Sequence, residues 1–144
     1  MKERFKAIPA VYTIFRKGDE ILLTRRFNTG YRDGQYSLPA GHHDGGQTLR
    51  EGAAREAKEE VGVTVRPEDL EFVYAQHRLA DDGERLDYFF TCDVWRGDFQ
   101  NMEPDKCDEL HWCTLGNLPE NMVPNVLAAL ESYPRGERYG EFVG

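Results

Sequence analysis

Residues 41–63 read GHHDGGQTLREGAAREAKEEVGV and contain the best-defined helix of the chain. Thr48 and Glu51 form a capping box, in which each side chain satisfies a backbone amide at the start of a helix. Gly62 stands where a glycine in the left-handed conformation commonly ends a helix. Between these ends, small apolar residues recur on one side: Ala53, Ala54, Ala57 and Val61. Their size predicts a helix that lies close against a sheet.

Three carboxylates share one face of this predicted helix. Glu56 precedes Glu59 by three residues and Glu60 by four, which places the three side chains within an arc of ~100°. Like charges weaken a helix, and Gly52 on the same arc weakens it by a further ~1 kcal/mol relative to alanine. Oxygen ligands beside a position without a side chain suit a hard divalent cation and a bulky partner. The alternative is a solvated face carrying an Arg55–Glu59 ion pair.

The rest of the chain alternates strand and helix patterns around this segment. Strands are predicted over residues 7–15, 21–24, 36–38, 70–79, 85–95 and 108–114. The first is nearly continuous in apolar residues, as expected of a strand covered on both faces. A loop is predicted over residues 39–46, a second helix over residues 123–130, and a polar tail that frays from Pro134. The alternation predicts an α/β fold, an α/β/α sandwich around a mixed β-sheet.

Length and composition limit the kinds of partner and the cellular location that we expect for this chain. The length of 144 residues favours one domain over residues 1–144, and the net charge of −8 disfavours a nucleic acid polymer, which needs a basic surface. No uncharged run approaches the ~18 residues of a membrane span. The opening Met1-Lys2-Glu3-Arg4 does not resemble a signal peptide. Three cysteines without a Cys-x-x-Cys spacing fit a reducing compartment, so the cytoplasm is expected.

The spacing of the helix and its preceding loop resembles the signature of the Nudix hydrolases. Gly41 is followed by five residues, Gln47, seven residues and then Arg55-Glu56-Ala57-Lys58-Glu59-Glu60-Val61-Gly62-Val63. The match covers 23 residues and departs from the family at Gln47, where the family has glutamate. This context favours a metal site over a solvated face, and the resemblance implies a Nudix-type α/β/α sandwich.

The resemblance also implies roles for individual residues. Three carboxylates and one backbone carbonyl would bind Mg²⁺, with Mn²⁺ as an alternative: Glu56, Glu59, Glu60 and Ala40. Arg55 would orient a carboxylate of the motif, with Glu51 as its partner. Glu56, or a carboxylate outside the motif, would activate water. The implied catalytic residues are therefore Glu56, Arg55 and Glu59.

The departure at Gln47 leaves an alternative open. Glutamine keeps hydrogen-bonding capacity but does not ionise or act as a base. If the family's glutamate mainly supports the loop, the change costs little, whereas turnover falls if it completes the metal site. In the second case Asp44 could compensate, or the chain is a Nudix-fold domain that binds a nucleotide with little hydrolysis.

The substrate is indicated by a second stretch. Residues 101–106, NMEPDK, followed by Glu109-Leu110-His111-Trp112, resemble Nudix members that hydrolyse nucleoside triphosphates to monophosphates. The resemblance favours Mg²⁺-dependent hydrolysis of a nucleoside diphosphate linked to another group, with a nucleoside triphosphate as the preferred substrate. ADP-ribose or another nucleotide-sugar is the alternative, although the downstream proline that often marks ADP-ribose hydrolases is missing.

Candidate substrate contacts lie outside the motif. Glu103 could add a carboxylate to the metal site, and Arg25 and Arg32 could contact phosphates, as could Arg26 and Arg78. Several aromatic side chains could stack on a base, although aromatic residues in strands are usually core: Tyr31, Tyr36, Phe89, Phe90 and Trp95. The expected partner is a small nucleotide, with no nucleic acid polymer and no membrane, and a homodimer is left open.

Overall fold

The computed structural model describes residues 3–144. The opening segment was not expected to be a signal peptide, and its first two residues, Met1 and Lys2, lie outside the described residues. The strands are β1 (Ile8–Lys17), β2 (Glu20–Arg26), β3 (Tyr36–Ser37), β4 (Ala40–His42), β5 (Leu70–Ala80), β6 (Gly83–Cys92), β7 (Cys107–Thr114) and β8 (Tyr139–Val143). The α-helices are α1 (Leu49–Val61) and α2 (Pro124–Ser132), and short 3₁₀ helices cover Pro67–Asp69, Leu115–Asn117 and Tyr133–Arg135.

The strands form a mixed sheet between the two helices. Its main path runs β3-β2-β1-β6-β5-β8, with β4 beside β1 and β7 beside β2. β1 pairs in parallel with β6, and β5 with β8, whereas the other pairs are antiparallel. Successive β1 side chains face opposite layers, because Val11 and Phe15 pack with α1 while Tyr12 and Ile14 pack with α2. The predicted α/β/α sandwich around a mixed sheet is confirmed.

A cleft forms where the two strands of a short hairpin, β1 and β2, separate from each other. β1 and β2 pair over only two residue pairs, Arg16–Ile21 and Lys17–Glu20. β2 then leaves β1 and continues along β7, and the three residues of β4 take its place beside β1. The divergence of β2 from β1 leaves a space with β2 and β3 on one side and β1 and β4 on the other.

Two segments predicted to be irregular form strands, and one predicted strand has a different end. The predicted loop over residues 39–46 contains β4, which pairs with β1 from Ala10 to Tyr12. The tail predicted to fray forms β8, which pairs in parallel with β5 from Ala75 to Leu79. Both strands are short, and their stability comes from pairing with partners distant in sequence, so local composition did not reveal them. The strand predicted over residues 85–95 is also shorter and ends at Cys92.

Two other observations bear on the sequence predictions. The cysteines are free thiols, as the sequence led us to expect: Cys92, Cys107 and Cys113. Within residues 3–144, neither α-helix has the length and apolarity needed to cross a bilayer.

Candidate active site

The ends of α1 are fixed by the residues that the sequence indicated. The Thr48 hydroxyl accepts a hydrogen bond from the Glu51 amide at 3.1 Å, and the Glu51 carboxylate accepts one from the Thr48 amide at 2.9 Å. At the other end, Gly62 adopts φ 78° and donates its N–H to the Ala57 and Lys58 carbonyls. The capped helix fixes the rotation at which its carboxylates face the cleft.

The loop before α1 packs directly on the helix. His43 Nε2 lies 2.8 Å from the Gln47 carbonyl, and because a carbonyl only accepts, the ring donates this hydrogen bond. The same ring covers Gly52, where an added Cβ would lie 2.7 Å from His43 Nδ1. The space at Gly52 therefore holds His43 and not the bulky partner that the sequence suggested.

Two carboxylates of α1 meet β4 at its first residues. The Ala40 amide donates to Glu60 Oε1 at 3.1 Å. A Cβ added at Gly41 would overlap with the carboxylate of Glu56, so the bare backbone of Gly41 provides the space for that carboxylate. The amide and carbonyl of one strand residue point to the same edge. The Ala40 carbonyl therefore faces the Glu60 side, away from β1.

Burial makes these carboxylates hard to ionise without a counter-charge. Burial is the main cause that raises the pKa of Glu60 well above 4.5, and the charges of Glu56 and Glu103 add to it. Burial also raises the pKa of Glu56, with Glu59 and Glu103 adding to the effect and Arg55 opposing it. Buried, mutually repelling oxygen donors are the kind that a divalent cation stabilises.

These oxygen donors are chemically suited to a divalent cation. Mg²⁺ prefers carboxylate and carbonyl oxygens, and the missing Cβ of Gly41 leaves the Glu56 carboxylate close to β4. Within residues 3–144, no three His, Cys, Asp or Glu side chains are arranged in the geometry of a metal site. Arg55 contacts two of the carboxylates, so their arrangement here is that of an ion-paired cluster.

Arg55 does not contact Glu51, the partner that the resemblance implied, but forms the ion pair with Glu59 that the sequence also allowed. Its Nη1 lies 3.2 Å from both carboxylate oxygens of Glu59 and 3.2 Å from Glu56 Oε1. Its Nε donates to Gln47 Oε1 at 3.2 Å. Glu51, the expected partner, uses its carboxylate in the capping box instead. The residue that departs from the family pattern thus contacts the arginine of the motif.

The loop that carries Glu103 is tied to the end of α1. The Gln100 amide donates to the Val61 carbonyl at 2.9 Å, and the Met102 amide donates to the Glu60 carbonyl at 3.0 Å. Glu103 lines the same cleft as the three motif glutamates, and its charge contributes to the raised pKa of Glu56 and Glu60. The structure therefore brings Glu103 to the carboxylate cluster.

The cleft has a volume of about 730 Å³ and extends beyond the carboxylates. Arg25 lines it, but its guanidinium is bonded to Asp108 at 2.7 and 3.1 Å and lies 3.6 Å from Glu109. Arg32 is not among the residues that line the cleft, and its guanidinium lies 5.7 Å from the centre of the Tyr31 ring. Of the four arginines expected to contact phosphates, Arg25 is already ion-paired and Arg32 lies outside the cleft, whereas Arg26 and Arg78 line it.

Several cleft residues were missed by sequence reasoning. Tyr12 belongs to the apolar run of the first predicted strand and Asn125 to the second predicted helix, yet both line the cleft. Asn125 Nδ2 donates to Gln76 Oε1 at 3.2 Å, and Gln76 Nε2 donates to the Asn125 carbonyl at 3.1 Å. Lys106 also lines the cleft and belongs to the same stretch, residues 101–106, as Glu103. A polar residue between Val123 and Val126 was the available signal for Asn125.

The layered fold, and a capped helix that carries clustered glutamates into a cleft, define a Nudix-type domain. Residues 6–133 match the family model described as the NUDIX domain. The chain belongs to the Nudix hydrolase family.

Curated relatives cover most of this chain but only part of their own length. An ADP-ribose pyrophosphatase from Methanocaldococcus jannaschii is 32% identical over 111 residues, which are 77% of this chain and 64% of the relative. An NAD-capped RNA hydrolase NudC from Shigella dysenteriae is 31% identical over 129 residues, which are 88% of this chain and 48% of the relative. The chain thus spans less than two thirds of either protein.

Solved structures share the fold at lower identity. A MutT NUDIX hydrolase from Burkholderia pseudomallei has a TM-score of 0.80 and 21% identity, covering 88% of this chain and 98% of that one. A MutT protein from Methanosarcina mazei Go1 has a TM-score of 0.79 and 22% identity, covering 93% of this chain and 97% of that one. At these identities the likeness supports the fold alone.

Proposed function

We propose that this chain is a Mg²⁺-dependent pyrophosphohydrolase that cleaves a nucleoside diphosphate linked to another group, preferentially a nucleoside triphosphate. The observation that carries this proposal is the cluster of carboxylates on α1, which meets the bare backbone of β4 at Gly41 inside the cleft. Membership of the Nudix hydrolase family supports the reaction class.

The proposed cation site uses three side chains and one backbone group: Glu56, Glu59, Glu60 and the Ala40 carbonyl. When bound, Mg²⁺ or Mn²⁺ would neutralise phosphate charge and lower the pKa of a bound water. The raised pKa values of Glu56 and Glu60 support this assignment, because a nearby cation would favour ionisation of both groups. Glu103 is proposed as an additional carboxylate at the same place.

In the proposed reaction, the oxygen of water forms a bond to one phosphorus of the polyphosphate. The bond from that phosphorus to its bridging oxygen breaks, and the products are a nucleoside monophosphate and the remaining phosphate-bearing group. A carboxylate accepts the proton of the water, and Glu56 and Glu103 are the candidates for this role. Arg55 holds Glu56 and Glu59 in position through its contacts of 3.2 Å.

The contact of Gln47 with Arg55 is compatible with hydrolysis, although Gln47 is the residue that suggested the binding-only alternative. Its side-chain oxygen already accepts a hydrogen bond from Arg55, so a neutral amide suffices for that contact. The proposal therefore assigns Gln47 a supporting role and retains an active site on α1. Arg25 keeps a place as a candidate phosphate contact only if substrate displaces its bonds to Asp108, and Arg32 is a weaker candidate because it lies outside the cleft.

ADP-ribose is the second candidate substrate. The relative named an ADP-ribose pyrophosphatase is 32% identical to this chain and is the reason to test this compound. The relative named an NAD-capped RNA hydrolase raises the question of RNA. We keep a small nucleotide as the proposed partner, because a net charge of −8 disfavours a long polyanion.

We propose that residues 1–144 form a single Nudix hydrolase domain that acts in the cytoplasm without membrane attachment. The three free cysteines support a reducing compartment. A homodimer is a proposal that sedimentation or light scattering would test.

A substrate screen tests the proposed function. The purified chain is incubated with nucleoside triphosphates, ADP-ribose, dinucleotide polyphosphates and an NAD-capped RNA, each with Mg²⁺ and with EDTA, and the products are separated by chromatography. Mg²⁺-dependent formation of a nucleoside monophosphate supports the proposal. Tight nucleotide binding without product in every Mg²⁺ reaction would favour the binding-only alternative.

A further inference from the structure

A buried arginine lines the cleft on a strand remote from the carboxylates. Arg78 lies on β5, and its side chain is 9% exposed. Its Nε donates to Oδ2 of Asp87 on β6 at 2.9 Å, and Asp87 is completely buried. Across the sheet, the path β4-β1-β6-β5 separates β4 from β5 by three spacings, or ~14 Å, and the register places Tyr74 rather than Arg78 opposite Ala40. Arg78 and the carboxylate cluster therefore face different parts of a bound substrate.

The guanidinium of Arg78 is held by only one of its nitrogens. A fork-to-fork pair with a carboxylate would use two nitrogens, but Asp87 Oδ1 is buried and has no partner in residues 3–144. Within residues 3–144, Nη1 and Nη2 of Arg78 donate to no protein acceptor. Neither nitrogen is among the fully buried atoms that have no partner, so both keep some exposure. These terminal nitrogens carry N–H donors that are available to the cleft.

Two tyrosines line the same cleft as Arg78. Tyr12 lines the cleft floor, where burial, with the charge of Asp87, raises its pKa to about 12 and keeps its hydroxyl protonated. Tyr31 lines the cleft from the opposite loop, is 45% exposed and lies with its ring 5.3 Å from the Arg26 guanidinium. Burial lowers the pKa of Arg78, but the hydrogen bond to Asp87 and the charge of that carboxylate raise it overall.

The surroundings of the fork fit a flat ring better than a phosphate group. Asp87 already neutralises the charge of Arg78, so this guanidinium carries no surplus positive charge of its own for a phosphate. Apolar side chains of Leu38, Val123 and Val126 line the same cleft. An aromatic ring with polar edges can pack against such surfaces while its edge reaches the donors.

We propose that Arg78 selects the nucleobase of the substrate by donating from Nη1 and Nη2 to two adjacent acceptors on one base edge. Guanine offers O6 and N7, and cytosine offers N3 and O2. Adenine and uracil alternate donors and acceptors along their free edges, so they cannot accept from both nitrogens. The substrate class is therefore a guanine or cytosine nucleotide, an inference that rests on the proposed hydrolysis at α1.

Steady-state hydrolysis of GTP, CTP, ATP and UTP tests this inference in wild type and in Arg78→Lys. Lysine keeps a positive charge beside Asp87 but loses the fork, which avoids leaving a buried carboxylate without a counter-charge. In wild type, GTP or CTP should have the highest kcat/KM. Arg78→Lys should reduce that preference by about 5- to 150-fold, the value of one two-pronged base contact.

A matched control comes from Arg16, which pairs with Asp93 at 2.7 and 2.8 Å through an exposed fork-to-fork contact. Arg16→Lys should leave the order of the four substrates unchanged. A wild-type enzyme that prefers ATP or UTP contradicts the inference and needs no variant. An equal loss for all four substrates in Arg78→Lys also contradicts it, because that pattern indicates a phosphate contact.

The two proposals fail in different ways. If no nucleotide is hydrolysed, the proposed function fails, and binding of GMP, CMP, AMP and UMP measured by calorimetry still tests Arg78. Tighter binding of GMP or CMP that Arg78→Lys abolishes supports base selection. Equal affinity for the four monophosphates contradicts it.

Discussion

Arg55 Nε donates a hydrogen bond to Gln47 Oε1 at 3.2 Å, while Nη1 of the same guanidinium contacts Glu59 and Glu56. One guanidinium thus joins the loop before α1 to two of its carboxylates. A glutamate at position 47 would offer the same acceptor with a negative charge. The contact explains how glutamine can occupy this position while Arg55 stays directed at the carboxylates.

Gln47→Glu should leave kcat within about threefold of wild type, because the contact with Arg55 persists. Exposed ion pairs contribute about 0–1 kcal/mol, so the free energy of unfolding should change little. Gln47→Leu, which removes the acceptor, should lower kcat by about tenfold, the rate equivalent of one net hydrogen bond. Kinetics and urea unfolding of both variants measure these effects. A large loss of activity in Gln47→Glu would show instead that the site requires a neutral residue.

Gly41→Ala should abolish most turnover, because the added Cβ would overlap with the Glu56 carboxylate. The carboxylate would have to move away from β4, which should also weaken Mn²⁺ binding measured by electron paramagnetic resonance. Gly116→Ala is the matched control, since an added Cβ at Gly116 meets no atom within 4 Å. Equal activity and equal Mn²⁺ affinity in the two variants would exclude a role for the space at Gly41.

Glu59→Gln and Glu60→Gln should each remove most of the turnover while the protein stays folded. The amide keeps the size of the side chain but loses the charge that a divalent cation requires. In Glu60→Gln, the side-chain oxygen can still accept from the Ala40 amide. Steady-state kinetics with circular dichroism separates loss of activity from loss of fold, and full hydrolysis in both variants would contradict the proposed site.

Stability without metal should fall as the pH rises through the folded-state pKa of Glu60. That pKa is raised well above 4.5, mainly by burial, so the folded state binds more protons than the unfolded state between the two pKa values. Stability therefore decreases with pH in this window, and the contribution is fully present only below the unfolded pKa. Urea unfolding in EDTA from about pH 5 to about pH 8 should show a shallower decline for Glu60→Gln. Identical slopes would indicate that Glu60 does not titrate in this way.

Gly140→Ala should destabilise the protein, because an added Cβ on β8 would overlap with the Tyr74 hydroxyl of β5. Overpacking of this kind costs about 1–3 kcal/mol, which urea unfolding can resolve. Gly116→Ala again serves as the control for adding a methyl group in open space. If the two variants unfold at the same urea concentration, the pairing of β8 with β5 contributes little to stability.

Much of the fold was predictable because its signals are local. The capping box and Gly62 define α1 within the sequence itself, and the long apolar run of β1 indicates a strand covered on both faces. β4 and β8 were missed because three and five residues carry little pattern of their own. Each forms only where a distant strand offers unpaired backbone groups, which requires the assembled sheet.

The candidate site was predictable to the extent that it lies on one helix. Spacing brings Glu56, Glu59 and Glu60 to one face, but it does not show which partner a side chain selects. Glu51 was expected both to cap the helix and to pair with Arg55, and the structure shows that capping takes its carboxylate. Contacts such as Arg78 with Asp87 depend on the antiparallel pairing of β5 and β6, which spacing alone does not specify.

The most direct test of the proposed chemistry is the rate of nucleoside monophosphate release as Mg²⁺ is added to metal-free protein. Wild type and Glu60→Gln are compared with the preferred triphosphate, after circular dichroism shows that both are folded. The account predicts no release in EDTA, a saturable increase with Mg²⁺ in wild type, and little increase in Glu60→Gln. Release that does not depend on Mg²⁺, or an equal increase in both proteins, would contradict it.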